Sequence, residues 1–434
     1  MIIERWVPLI GWLRTYHRGL LARDVLAAVI VTLMLVPQAL AYAMLAGLPP
    51  EMGLYASMLP LVLYAVFGTS ASLAVGPVAV AALMTASALS SFAAPGSPEY
   101  IGAALVLAAL SGLILIAMGV LRLGFLVNFL SHPVISGFVT ASGILIAISQ
   151  LKHIFGVEAS GHNVVELLRA LLGQWQQVNV ITLLIGLGVW VYLWVCRKRL
   201  NGWLTKLGMP ASWAGLMVKA APISAVVVTT LLAWGLQLEQ RGVDVVGFVP
   251  SGLPAITLPS LDQSLWLDLL PAALLISLVG FVESVSVAQT LAAKRRQRID
   301  PNQELIALGM ANLGAGISGG SPVSGGFSRS GVNFEAGAAT PLAGAFTALG
   351  IVLATLLLTD LLVFLPTATL AATIIVAVGT LIDLPAVKRT WQYSRSDGIA
   401  MVATLLLTLL HSVEVGIISG VVLSLGLHLY RTSQ

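Results

Sequence analysis

Charged residues are scarce in this 434-residue sequence: Asp, Glu, Lys and Arg together make up 9% of it, against about 25% in a soluble globular domain. With 58% hydrophobic residues and a mean hydropathy of +0.97, that shortage excludes a soluble fold. Cysteine is nearly absent. Cys196 stands alone beside Arg197, Lys198 and Arg199, so no internal disulfide can form, and it reads as a residue at a membrane edge. His132, His153, His162, His411 and His428 are scattered at segment ends, and no His/Cys/Asp/Glu group has metal-ligand spacing. There is no Walker lysine and no nucleophile–base pair, so neither an enzyme nor a cofactor is expected. Gly314, Gly316 and Gly319 fit G-x-G-x-x-G, but they lie in an apolar segment with no strand–helix context. Short alternating strands of a membrane barrel are missing as well. The sequence pI of 9.3 does not imply a nucleic-acid partner, because Lys and Arg gather at segment ends, where membrane topology explains them.

What the sequence has in abundance is apolar runs long enough to cross a bilayer as helix. The fold class expected is an all-α polytopic membrane protein with fourteen segments, at roughly 24–46, 52–68, 76–92, 100–121, 131–151, 178–196, 216–237, 266–291, 303–318, 327–338, 340–358, 362–382, 397–412 and 414–430. The third and tenth are too short to span about 30 Å at 1.5 Å per residue. Each follows an extended stretch of small residues (68–77 and 319–327), so each is expected to be half strand, half helix. With the N-terminus inside, all but four of the 22 Lys and Arg residues fall on the cytoplasmic side; Lys152, Arg169 and Arg241 fall outside, and Arg329 within the membrane. Both termini are then cytoplasmic. Residues Ile2–Arg23, with Arg5, Arg14, His17, Arg18 and Arg23, suit a helix lying on that face rather than a cleavable signal peptide.

The halves echo one another. Gln38 on the first segment precedes the Gly76 break, and Glu283 on the eighth precedes the Gly326 break. Seven segments separate each pair, and an odd number forces the second copy to be inverted, a 7+7 inverted repeat. Inversion brings both half-helix N-termini together, each with unpaired N–H groups and roughly +0.5 charge. Arg329 adds a full charge where lipid forbids one, so its natural occupant is an anion. Ser328 and Ser330 supply hydroxyls, while Gly325, Gly326 and Gly331 let backbone approach closely. Val78, Ala79 and Val80 offer backbone donors from the opposite helix start, and Gln38 and Tyr42 share one face of the first helix.

Structural alternatives stand beside each assignment. Arg329 is otherwise a structural arginine neutralised by Glu335 or Glu283; Ser328 and Ser330 are otherwise N-caps; Gln38 and Tyr42 otherwise make an interhelical bond. Glu283 sits mid-segment, where burial and a nearby guanidinium push its titration in opposite senses. The balance suits a proton relay, the alternative being a permanent partner for Arg329. Asn312 is either its neighbour or a helix-packing amide.

Residues 37–84, 281–292 and 325–332 resemble the signature blocks of the SulP (sulfate permease) anion transporters, and the resemblance covers nearly the whole chain. It implies a nucleobase-transporter-like fold with a core domain (1–130 and 266–360) that carries the site and moves against a gate domain (131–265 and 361–434), usually as a homodimer. By that resemblance the anion site comprises Gln38, Tyr42, Val78, Ala79, Phe327, Ser328 and Arg329, with Glu283 linked to ion coupling. Members normally continue into a cytoplasmic STAS domain, whereas this chain ends at Gln434. Many carry serine where Gly326 stands, which weakens a specific claim for sulfate. Val287, one turn after Glu283, has no hydroxyl for sodium, so a proton is the expected coupling ion.

The function expected is secondary active transport of a small inorganic anion, sulfate first, in the plasma (inner) membrane by elevator-type alternating access. Bicarbonate, chloride or dicarboxylate transport or exchange, and an anion-gated channel or motor, are the alternatives. Nucleobase permeases typically present a carboxylate where Arg329 stands.

Overall fold

A chain this apolar satisfies its peptide N–H and C=O groups in lipid mainly by coiling. The computed structural model describes residues 6–128, 132–161, 163–250, 252–413, 415–416, 418–420, 422–423 and 426. Its principal elements are α1 (Arg18–Leu45), α2 (Pro50–Tyr55), α3 (Leu59–Phe67), β1 (Val75–Gly76), α4 (Ala79–Leu89), α5 (Pro98–Val120), α6 (His132–Phe155), α7 (Val180–Val195) and α8 (Ala211–Gly235). They continue with α9 (Gln263–Lys294), α10 (Pro301–Ile317), β2 (Ser324–Gly325), α11 (Phe327–Glu335), α12 (Leu342–Leu357), α13 (Thr367–Val378), α14 (Leu384–Tyr393) and α15 (Arg395–Leu410). Among the described residues seven helical stretches are long and apolar enough to cross a membrane: α1, α2 with α3, α5, α6, α7 extended to Lys206, α8 and α9.

Helix overlies every expected segment through 397–412; the segment 414–430 lies mostly outside the described residues, as do Arg5, His162, His428 and Arg431. One expectation is corrected. The N-terminal basic stretch is not one surface helix, because helix Leu9–Arg14 stops and α1 begins at Arg18, where the His17 imidazole accepts the Gly19 N–H at 3.2 Å. Arg18 and Arg23 therefore belong to the first long helix. Cys196 is buried at the start of a π-helical turn, Cys196–Leu200.

The chain forms two units, Met1–Gly124 with Val191–Leu238 and Val245–Pro366, and Phe125–Trp190 with Glu239–Asp244 and Thr367–Gln434. Residues 191–238, expected with the gate portion, group with the first unit because α8 packs on α1. At the centre of the first unit α10 packs on α5 and α3. Lipid offers no hydrophobic drive for helices to associate, so close backbone approach through small residues replaces it. A Cβ on Gly112 would stand 2.8 Å from the Gly309 carbonyl, and one on Gly309 2.8 Å from the Gly112 carbonyl. The glycines of the G-x-G-x-x-G match belong to this packing: Gly314 abuts Leu63, Gly316 abuts the Leu105 carbonyl, and Gly319 (φ +76°) lies just past the end of α10. In the second unit α6 packs on α13 and α15, with Gly137 against the Met401 backbone.

Two buried carboxylates tie helices to turns in the first unit. Asp24 accepts the Ala339 and Thr340 N–H groups at 2.7 and 3.1 Å, the Thr340 hydroxyl at 2.6 Å and the Tyr16 hydroxyl at 3.0 Å. Burial and the Asp24 charge push the Tyr16 phenol above its usual range. Glu304 accepts the Thr69 N–H, the Thr69 hydroxyl, the Ser70 N–H and the Tyr64 hydroxyl at 2.8, 2.5, 3.2 and 2.8 Å. Each thus repays its burial with four hydrogen bonds.

Gly309→Ala is expected to cost about 1–3 kcal/mol by overpacking and to lower the thermal unfolding midpoint in detergent. Gly102→Ala on the same α5, where a Cβ meets nothing within 4 Å, is expected to leave it unchanged.

Candidate functional site

Both breaks in the first unit are extended segments that turn into short helices. β1 and β2 pair antiparallel, Val75 opposite Gly325 and Gly76 opposite Ser324. Two residues per strand cannot satisfy the buried backbone, and side chains complete it. The Ser284 hydroxyl on α9 accepts the Gly325 N–H at 2.7 Å. The Asn312 amide on α10 binds Val323 through both its N–H (to the carbonyl) and its oxygen (from the N–H), at 2.9 Å each. Asn312 is therefore a clamp on the segment before β2, which resolves its two expected roles.

Successive turns of α11 grip the segment before α4. The Asn333 amide donates to the Ser72 carbonyl at 3.1 Å, the Ser330 hydroxyl accepts the Ala74 N–H at 2.9 Å, and Arg329 Nη1 donates to the Pro77 carbonyl at 2.5 Å. The N-cap residues of the two short helices, Val78 and Gly326, carry no capping side-chain bond. They meet: a Cβ on Gly326 would lie 3.2 Å from Val78 Cγ1. Two helix starts with unpaired amides thus adjoin one another.

Arg329 lies between them, 2% exposed. Its Nη2 would stand 3.3 Å from a Cβ on Gly76 and equally 3.3 Å from one on Gly326, so glycine at both positions makes room for the guanidinium. Nη1 is bonded, but Nε and Nη2 are buried with no hydrogen-bond partner among the described residues. Neither expected neutralising partner takes them. Glu335 pairs with Lys219 at 2.9 Å, and Glu283 forms no ion pair with Arg329 among the described residues. Tyr42 on α1 and Glu283 on α9 are nevertheless within electrostatic reach of the guanidinium. Such an arrangement can neutralise and hydrogen-bond an anion through one guanidinium edge and two sets of backbone amides.

The other expected contacts divide. Tyr42, Val78 and Ala79 are buried and Gln38 and Glu283 partly so, while Phe327 and Ser328 are exposed at the start of α11. Neither serine caps α11, since Gly326 holds that position. Ser330, grouped with the anion contacts from sequence, is fully buried and engaged with Ala74, which makes it a tie to the facing segment. Ser284, Asn333 and the Pro77 carbonyl escaped the sequence reading. Polar side chains in small-residue apolar helices were the available signal, but nothing showed which backbone group each would meet.

The far end of α11 is also fixed. Arg295 donates to the carbonyls of Phe334, at 2.8 Å, and Ala338, and Arg23 donates to that of Gly337 at 3.1 Å. Burial holds the Arg295 guanidinium below its usual range. Cations at a helix C-terminus offset its partial negative charge.

Fold and site together define an integral, multi-pass membrane protein with a buried electropositive centre between two half-length helices. Comparison with known sequences makes the assignment narrower: the chain belongs to the sulfate permease family, whose profile matches residues 21–404. It is 36% identical to "Sulfate transporter 4.1, chloroplastic" of Arabidopsis thaliana, over all of this chain and 62% of that protein. It is 35% identical to a probable sulfate transporter of Mycobacterium tuberculosis, over 97% of this chain and 72% of that one. The chain thus spans about three fifths of the length of the first of these relatives. Among solved structures, the murine Solute Carrier 26 family member A9 anion transporter in its inward-facing state superposes with a TM-score of 0.89 at 26% identity, covering 99% of this chain and 72% of that one. The transmembrane domain of the cyanobacterial bicarbonate transporter BicA, at 24% identity and a TM-score of 0.78 over 93% of this chain and 98% of that one, shares the fold.

Ser330→Ala leaves the buried Ala74 N–H without a partner. It is expected to cost about 1–3 kcal/mol, measured as a lower unfolding midpoint of the purified protein.

Proposed function

We propose that this chain is the membrane part of a secondary active transporter of small inorganic anions, sulfate foremost, coupled to protons. The observation that carries the proposal is the pair of Arg329 nitrogens, Nε and Nη2, without a partner among the described residues and buried where two uncapped helix starts adjoin. A buried cation with unused donors is costly unless something anionic meets it. Gln38, Tyr42, Val78, Ala79, Phe327 and Ser328 surround or flank that centre in this reading, while Ser330 supports it from behind. The names of the relatives from Arabidopsis and Mycobacterium support sulfate as the first substrate to test.

Charge balance gives the coupling its sense. Two helix starts and one guanidinium amount to roughly +2. An ionised Glu283 reduces this to about +1, and its protonation restores a match for a dianion, so proton and sulfate travel together. The same arithmetic favours a monoanion when Glu283 is ionised, and chloride or bicarbonate exchange is the second reading on that ground. Elevator-type movement of the site-bearing part against the remainder fits this scheme, as do a fourteen-span 7+7 inverted repeat, a homodimer and a plasma-membrane location with cytoplasmic termini.

In proteoliposomes, Arg329→Ala is expected to reduce labelled sulfate uptake at least a hundredfold while the protein still elutes as a folded species; retained uptake defeats the site. Glu283→Gln is expected to make uptake independent of an imposed pH gradient. A gradient response like that of the parent would remove Glu283 from the coupling. Competition by unlabelled chloride and bicarbonate, stronger than by sulfate, would select the monoanion reading.

A further inference from the structure

A cavity lies apart from Arg329, beneath the N-terminal helix Leu9–Arg14. It has a volume of about 520 Å³ and is bounded by that helix, the Thr69–Ser72 stretch and the turn between α9 and α10. The roof is held in place by Gln303, whose amide donates to the Trp6 carbonyl at 3.2 Å and to the Phe67 carbonyl at 2.8 Å. Along the floor, Glu304 is satisfied by Tyr64, Thr69 and Ser70, and the Ser70 hydroxyl accepts the Ser72 and Leu73 N–H groups at 3.4 and 3.2 Å. The Ser72 hydroxyl is the group left over. Ser72 lines the cavity, is 4% exposed, and its hydroxyl has no partner among the described residues.

The rim adds Gln297 and Arg298, both exposed, whose side chains make no hydrogen bond or ion pair among the described residues. Arg298 is the one charged side chain among the lining residues, and the Glu304 carboxylate behind Thr69 and Ser70 has its oxygens taken up by them and by Tyr64. Guanidinium, amide and hydroxyl donors lining one space suit a tetrahedral oxyanion. Pro8 and Trp12 add apolar surface to the lining. The volume decides the rest: sites of a few hundred Å³ hold ligands of drug size, and a bare inorganic anion would leave most of this one unfilled.

We propose that this cavity binds a phosphate-bearing amphiphile, with the phosphate on Arg298, Gln297 and Ser72 and the apolar body against Trp12 and Pro8. That chemistry is supplied either by an anionic phospholipid at the membrane surface or by a soluble aryl or alkyl phosphomonoester. The site is independent of Arg329 and of the transport reading. Its floor is the outer side of the segment that runs on into β1.

The test uses the full chain, delipidated in detergent, with binding of three probes measured by calorimetry: 1-naphthyl phosphate, dihexanoyl phosphatidate and inorganic phosphate. At least one amphiphile is expected to bind tenfold or more tightly than inorganic phosphate. Arg298→Ala and Ser72→Ala should each weaken that binding at least tenfold, with the unfolding midpoint of the ligand-free protein unchanged for the exposed Arg298 variant. Phosphatidate alone binding assigns a lipid source, and naphthyl phosphate binding as well assigns a soluble one. Equal binding of all three probes, no binding of either amphiphile, or parental affinity in both variants overturns the proposal.

Discussion

A guanidinium buried with only one of its nitrogens bonded among the described residues is the constraint around which the first unit is arranged. Such a group costs free energy wherever water is excluded, so the surroundings must hold it in place rather than let it turn toward solvent. The Pro77 carbonyl fixes Nη1, and glycine at 76 and 326 gives Nη2 a slot that any Cβ would crowd. The two helix starts are pressed together for the same purpose. Their partial positive charges add to that of Arg329 instead of cancelling it.

Non-helical backbone inside a membrane protein needs every N–H and C=O matched from within. The two extended segments solve this jointly. They pair with each other over two residues, then recruit Ser284, Asn312, Ser330 and Asn333 for what the pairing leaves over. Removing one tie leaves a buried group orphaned, so the cluster behaves cooperatively. Arg295 and Arg23 fasten the opposite end of α11, and Asp24 gathers the turn that follows it. The short helix is held at both ends while its first turn keeps its amides uncapped.

Much of the architecture could be read from residues alone because hydrophobic length and charge placement act locally. The breaks near Gly76 and Gly326 were legible as runs of small residues ahead of segments too short to span, and Arg329 was legible as a charge where none belongs. Ser330 shows where that reading stops. It adjoins Arg329 in sequence, yet a helix turns about 100° per residue, and its hydroxyl meets Ala74 instead of the guanidinium's open edge. Asp24 and Glu304 passed unremarked because their partners, at Thr340 and Thr69, are more than two hundred positions away.

By itself the sequence determined that the chain is a helical membrane protein, where its helices break, and that one cation must be housed inside. Those follow from transfer energies and from the reach of a helix, properties of short stretches. Only the tertiary structure decided that the two breaks pair and that, among the described residues, neither Glu283 nor Glu335 ion-pairs with Arg329 and two of its nitrogens stay unmatched. Those depend on which distant backbone groups are brought within hydrogen-bond range, and no local pattern encodes a distance between segments 250 residues apart.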